Sequence, residues 1–322
     1  MLEIVVLGRL AAHVGRRLAP LVQGEHAIHI FADPAAADSA AVERADVIVG
    51  WPLPGALIES ARRLRLVQAA GAGFDGVPLD RLPPGAVVAN TFHHEISIAE
   101  FVMLAMLYLT RRPHHYDARL RQGRWEGSCI WGEPPVLAEL DGGTILLIGR
   151  GHIGRQVQRR ARAFGMRVLA VGRSDAGSWR QSLPEADFVV PCCPLTADTE
   201  GLIGAPEFAR MKPSAYLINT SRGKVVDEEA LFEALRDRRI AGAAIDVWYQ
   251  YPGSEQDACL PSRFPFHELP NVLLSPHISG WTSRTVEGRA RDIADNINRL
   301  AAGQPLRNVV WPPAASSMLP SS

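Results

Sequence analysis

The chain has 322 residues, 47% of them hydrophobic, and its 34 basic and 34 acidic residues cancel to no net charge. At roughly 150 residues per domain this length fits two domains with a core each. The neutral balance excludes the strong field that nucleic acid or an anionic membrane requires.

Short apolar runs alternate with helical stretches, the pattern of parallel α/β architecture. The first series of strands is expected at Glu3–Leu7, Ala27–Phe31, Val47–Gly50, Leu66–Ala69 and Ala86–Ala89. Met1–Gly8 is too short for a signal segment and reads as the opening strand. A long helix follows from about Ile96 to Arg112, opened by the capping-box pattern Ser97-x-x-Glu100 and stopped by Pro113. Its apolar stretch falls short of the ~20 residues of a membrane span and suits a buried helix. The second series is expected at Thr144–Ile148, Arg167–Val171, Phe188–Pro191, Ala215–Asn219, Gly242–Ala244 and Val272–Leu274. These read as runs buried on both faces. Helices at Ile153–Phe164 and Glu228–Asp237 lie between them, a last helix spans Ser283–Ala302, and the Pro/Ser/Ala-rich tail Pro312–Ser322 is loosely held. The cysteines are Cys129, Cys192, Cys193 and Cys259. They form no C-x-x-C pair, so neither a metal site nor a disulfide framework is expected, as suits a cytoplasmic protein.

Thr144–Ile148 leads into Gly149-Arg150-Gly151-His152-Ile153-Gly154, a glycine turn between a strand and a helix. That context makes it a dinucleotide motif rather than a bare βα turn. Gly149 allows the tight turn, Gly151 lets the backbone approach a pyrophosphate, and Gly154 lets the helix pack on its strand. At the end of the next strand, where an NAD enzyme carries Asp or Glu, the sequence reads Gly172-Arg173-Ser174. With no carboxylate there and a guanidinium to hold a 2′-phosphate, NADP is preferred. Asp175 is near enough to keep NAD possible.

Three further segments put polar groups at the ends of strands, where open α/β sheets bind ligands. They are Asn219-Thr220-Ser221-Arg222-Gly223-Lys224, Ala244-Ile245-Asp246-Val247-Trp248 and Ser275-Pro276-His277-Ile278-Ser279-Gly280. With Ala70-Gly71-Ala72-Gly73-Phe74-Asp75, Ser97-Ile98-Ala99-Glu100 and Pro194-Leu195-Thr196-x-x-Thr199, their order over nearly the whole chain resembles the D-isomer-specific 2-hydroxyacid dehydrogenases.

The resemblance implies two doubly wound parallel-sheet domains, a Rossmann nucleotide domain (96–282) inserted in a flavodoxin-like substrate domain (1–95 and 283–322). Two long helices, the second at Ser283–Ala302, cross from one to the other, and the family's usual assembly is a homodimer. Arg222 resembles the arginine that binds the substrate carboxylate and polarises the carbonyl. His277 resembles the acid–base, and a histidine pKa of about 6.5 suits a proton relay. The backbone N–H groups of Ala72 and Gly73 match the carboxylate donors. Cofactor contacts are implied for the glycine turn, Arg173, Ser174, Cys193, Pro194, Thr199, Thr220, Ser221, Asp246 and Gly280.

Two departures stand out. The family's glutamate partner for the histidine would fall at Tyr251, which is not anionic at neutral pH. Either its hydroxyl orients His277, or a carboxylate from elsewhere, Glu95 or Glu255, substitutes. His94 and Glu95 replace a small polar pair, so His94 is either a substrate contact or a surface loop residue. Trp51, Trp125, Trp131 and Trp281 are pocket walls or core, with core favoured. His114 and His115 fit a helix end rather than a metal. The leading reading is an NADP(H)-preferring reductase of glyoxylate or hydroxypyruvate type. Formate or phosphite oxidation and a non-catalytic dinucleotide sensor are the alternatives. The longer N-terminal segment of formate enzymes is missing, and Arg222 and His277 argue against a sensor.

Overall fold

The computed structural model describes residues 1–127, 130, 135–172, 175, 178–253 and 257–312. In chain order the strands are β1 (Leu2–Leu7), β2 (His26–Phe31), β3 (Val47–Gly50), β4 (Leu66–Gln68), β5 (Val87–Ala89), β6 (Thr144–Ile148), β7 (Arg167–Val171), β8 (Phe188–Pro191), β9 (Tyr216–Asn219), β10 (Gly242–Ile245), β11 (Val272–Leu274) and β12 (Val309–Trp311). The helices are α1 (Arg9–Gly15), α2 (Ser39–Arg44), α3 (Gly55–Ser60), α4 (Glu95–Arg111), α5 (Pro113–Leu120), α6 (His152–Ala163), α7 (Ala205–Phe208), α8 (Glu228–Arg236) and α9 (Ser283–Ala301). They form two compact units, Met1–His93 with Trp281–Ser322, and His94–Gly280.

The first unit is a six-stranded sheet in the order β12-β5-β4-β3-β1-β2. Its strands run parallel except β12, which pairs antiparallel with β5. One face is packed by side chains of α1 and α9, among them Val14, Ile293 and Ile297. The other is covered by residues of α2 and α3, including Val42 and Ile58.

The second unit is an all-parallel sheet in the order β11-β10-β9-β8-β6-β7. Every residue of β6 is buried because helices lie on both faces. On one face Val102, Met106 and Val157 of α4 and α6 pack against Ile145 and Leu147. On the other, Leu231 and Leu235 of α8 pack against Leu146 and Leu217. Strand order reverses between β6 and β8, which places the crevice of an open α/β sheet beyond their C-terminal ends.

The sequence-expected strands form with small shifts at their ends, but one local expectation fails. The long helix begins at Glu95 with His94 as its N-cap, so Ser97 is not a capping residue. Its hydroxyl instead donates to the carbonyl of Ser279 at 2.6 Å, a tertiary tie that overrides the local pattern. As expected, α4 ends at Arg111 with Pro113 just beyond its C-cap, and Pro113 then opens α5, where its missing N–H costs nothing. Before the Pro312–Ser322 tail, which lies outside the described residues after Pro312, the chain adds β12 at the sheet edge, a strand the sequence did not announce. No helix among the described residues is long and apolar enough to cross a membrane.

Candidate active site

The glycine turn sits at the reversal point of the second sheet. Gly149 has φ 131°, and a Cβ there would stand 2.5 Å from the Cys192 carbonyl, so the turn after β6 lies directly on the loop after β8. A Cβ on Gly154 would collide with the Gly149 carbonyl. Gly151 is the N-cap of α6, with no side-chain cap, and nothing among the described residues lies within 4 Å of its missing Cβ. Unfilled space in front of uncapped N–H groups fits a dinucleotide pyrophosphate. Ile153 packs into the core and His152 is exposed at the start of α6.

Gly172 leaves the end of β7 without a side chain, but Asp175 folds back to it. The Asp175 carboxylate accepts the Gly172 N–H at 2.8 Å and pairs with Arg150 at 3.2 Å. The Arg150 Nε also donates to the Ala170 carbonyl at 2.8 Å, which straps the glycine turn to β7. Arg173 and Ser174, expected to hold the cofactor, lie outside the described residues, as do Cys129, Trp131 and Glu255. In the loop after β8, Cys193 is half-buried and the Thr199 hydroxyl donates to the Pro194 carbonyl at 2.7 Å. Thr199 therefore shapes this loop. Burial pushes the Cys192 thiol up to about 12 and raises that of Cys193, so both stay protonated and inert.

Arg222 leaves β9 on a loop built by Asn219. The Asn219 side-chain oxygen accepts the Ser221 N–H at 3.1 Å and the Ser221 hydroxyl at 3.0 Å, and its NH₂ donates to the Arg222 carbonyl at 3.0 Å. Thr220 is buried beside it. A Cβ on Gly223 would collide with the Trp248 carbonyl, so the Arg222 loop and the Trp248–Tyr251 segment run in contact.

His277 sits in a left-handed conformation at φ 59°, a costly state for a non-glycine residue that its surroundings enforce. Asp246, 0% exposed at the end of β10, provides the clamp. It accepts the Ser275 hydroxyl and the N–H groups of Ile278 and Ser279, at 2.9 and 3.0 Å. The Trp248 Nε1–H donates to the Ser275 carbonyl at 2.8 Å. Besides the cofactor contact expected of Asp246, its two oxygens hold the His277 loop.

The Tyr251 hydroxyl lies 3.1 Å from the His277 Nδ1 and accepts the Trp248 N–H at 3.0 Å. Although His277 is an exposed residue, the atoms packed around its ring lower its pKa by desolvation; Asp246 opposes this and the Arg222 charge adds to it. Desolvation raises the Tyr251 pKa, while the Trp248 N–H and the Arg222 charge pull the other way. The Arg222 charge thus acts on both groups, which puts guanidinium, imidazole and phenol in one neighbourhood beyond β9, β10 and β11. His94 is buried as the N-cap of α4, not on a surface loop, and a Cβ on Gly280 would lie 3.2 Å from its Cβ.

In the first unit, the Ala72 carbonyl accepts the Asn90 side-chain N–H at 2.8 Å, and the Thr91 N–H binds the Gly71 carbonyl at 3.1 Å. These bonds fix the loop that carries Ala72 and Gly73. Trp51 joins the core of this unit; Trp281 stays partly exposed against His13, and Trp125 of the second unit is exposed. No cluster of metal-ligating side chains occurs among the described residues. The sequence reading missed Asn219, Ser275 and Trp248 as site-builders; only their place at strand ends hinted at them.

Residues 103–279 match the family model of the D-isomer specific 2-hydroxyacid dehydrogenase NAD binding domain. A glyoxylate reductase of Korarchaeum cryptofilum is 33% identical over 80% of this chain and 80% of its own. A D-3-phosphoglycerate dehydrogenase of Methanocaldococcus jannaschii is 32% identical over 84% of this chain but 52% of its own length. The fold matches a D-isomer specific 2-hydroxyacid dehydrogenase of Lactobacillus delbrueckii ssp. bulgaricus, in an NAD-complexed form, with TM-score 0.78 over 95% of this chain and 99% of that one at 23% identity. The chain therefore belongs to the D-isomer specific 2-hydroxyacid dehydrogenases, a family of NAD(P)-dependent oxidoreductases.

Proposed function

We propose that the chain reduces a small 2-keto acid of glyoxylate or hydroxypyruvate type, with NADP(H) as its preferred dinucleotide. The observation that carries this reading is the shared neighbourhood of Arg222, His277 and Tyr251 at the C-terminal ends of the sheet that also bears the glycine turn. The second unit holds the dinucleotide through the turn Gly149–Gly154 and the first turn of α6. When bound, the dihydronicotinamide supplies the hydride that reduces a carbonyl carbon.

Arg222 pairs with the substrate carboxylate and polarises the carbonyl, a double task suited to a guanidinium fork. Ala72 and Gly73 are proposed as backbone donors to that carboxylate. His277 gives a proton from Nε2 to the developing alkoxide and takes it back in oxidation. When Nε2 is the base, the Nδ1–H donates to the Tyr251 oxygen, whose other lone pair takes the Trp248 N–H. Tyr251 thereby fixes the tautomer without an anion.

The cofactor preference rests on the side-chain-free end of β7 at Gly172 and on Arg150 and Arg173. Asp175 carries the second reading, NAD, but Arg150 neutralises it and the Gly172 N–H takes one of its oxygens. A homodimer is part of the same proposal and is checked by sedimentation.

The test is steady-state turnover of glyoxylate, hydroxypyruvate and other 2-keto acids with NADPH and NADH in parallel, with 3-phosphoglycerate oxidation as the reverse arm. Fastest turnover of a small 2-keto acid with NADPH is the expected result. Exclusive use of NADH overturns the cofactor assignment, and preference for the phosphorylated substrate overturns the substrate class.

A further inference from the structure

At the end of the second sheet opposite to Arg222 and His277 lies a cavity of about 350 Å³. Tyr216 and Val272, the first residues of β9 and β11, open onto it. A volume of this size is in the range of small-molecule sites. Two arginines, Arg112 and Arg238, reach it from the C-terminal ends of α4 and α8. Both adopt the left-handed conformation, with φ 49° and 56°, where glycine is the ordinary residue after a helix.

No carboxylate lines the cavity, and neither guanidinium forms an ion pair among the described residues. Cations at helix C-termini are favoured by the dipole. That accounts for each charge, but not for two unpaired charges sharing one acid-free cavity.

The positive field is felt by its neighbours. The His114 pKa is lowered by burial and by Arg112 and His115, and Arg112 also pulls on Tyr216. The wall is aromatic, with His114 stacked on Tyr108 at 4.3 Å and 10°.

We propose that this cavity is a second ligand site, separate from the candidate active site, that takes a small phosphate monoester. A carboxylate's two oxygens satisfy one guanidinium fork. A phosphate monoester offers three terminal oxygens and up to two charges for two forks. Its organic part lies on the Tyr108 and Tyr216 rings.

The test is calorimetric titration of the full chain with phenyl phosphate and with benzoate, each under saturation by whichever of NADPH or NADH binds more tightly, so that the glycine turn is filled. Saturable phenyl phosphate binding, at least about tenfold tighter than benzoate, is expected. Arg112→Gly and Arg238→Gly should each weaken it at least about tenfold. Glycine suits the left-handed backbone, so both variants should melt no lower than the parent. If either does melt lower, Arg112→Gln and Arg238→Gln replace them. Absence of saturable binding, equal affinity for benzoate, retained affinity in both arginine variants, or loss of binding once the dinucleotide is present overturns the proposal.

Discussion

The two units share one strand order, with the second strand outside the first and the third, fourth and fifth on its other side. What separates them is the connection that follows the leading strand. In the second unit β6 enters a turn with Gly149, Gly151 and Gly154, in which Gly149 is pressed against the Cys192 carbonyl. In the first unit β1 enters a turn with the single glycine Gly8, at φ 91°, followed by Arg9. There α1 packs back on its strand so closely that a Cβ on Gly15 would stand 2.8 Å from Val6 Cγ1. The same topology thus builds a crevice twice but the close-packed three-glycine turn once. Fold order positions a site; local backbone shape and a few side chains decide its chemistry.

The comparison can be broken most decisively at Arg222. Arg222→Ala should lower kcat/KM for a 2-keto acid about 10³-fold, the scale of losing a principal charge-stabilising donor. Dinucleotide affinity, read by fluorescence titration, should stay unchanged, and surviving turnover would place the chemistry elsewhere. Next comes a matched pair of glycines. Gly149→Ala combines a strained φ with a clash and should lose about 3 kcal/mol of stability together with dinucleotide affinity. Gly8→Ala meets no neighbour and should lose about 1 kcal/mol with affinity intact. Urea melts and cofactor titration check both, and equal effects would erase the contrast between the turns.

A smaller effect is expected at Arg173. Arg173→Ala should reduce kcat/KM with NADPH by about 30-fold, the worth of a charge-assisted hydrogen bond, and leave NADH use unchanged. Equal losses with both would remove the arginine from 2′-phosphate recognition.

Tyr251→Phe is the mildest, about fivefold, the worth of one ordinary hydrogen bond. Its signature is in the pH profile. Desolvation already holds the His277 ring toward its neutral form. Removing the acceptor for Nδ1–H lowers the pKa further. Reduction needs the protonated ring, so its rate should fall off at lower pH than in the parent. Oxidation needs the neutral ring and should extend to lower pH. An unchanged profile would mean that Tyr251 does not orient His277.

Much of the fold was legible because the strands of both sheets are short apolar runs bounded by turns, and burial on two faces requires that composition. The glycine turn was legible for a different reason: its three positions are read from backbone shape, which glycine alone reports. Errors arose where a long-range contact overrode a local pattern. Ser97 has the spacing of a capping residue, yet its hydroxyl serves Ser279, 182 residues away. The Val309–Trp311 segment is made of strand formers but is only three residues long, and it is a strand because β5 offers an edge.

By itself the sequence determined the alternation of strands and helices, the place of the glycine turn, and the chemical kinds of Arg222, His277 and Tyr251. These follow from local periodicity, backbone freedom and side-chain chemistry. Only the tertiary structure decided that Asp246 clamps the His277 loop, that Tyr251 meets Nδ1, that Asp175 returns to Gly172, and that Arg112 and Arg238 share a cavity. Each of these depends on side chains from different elements meeting at hydrogen-bond or van der Waals range. That proximity is a property of the packed chain and leaves no periodic trace along it.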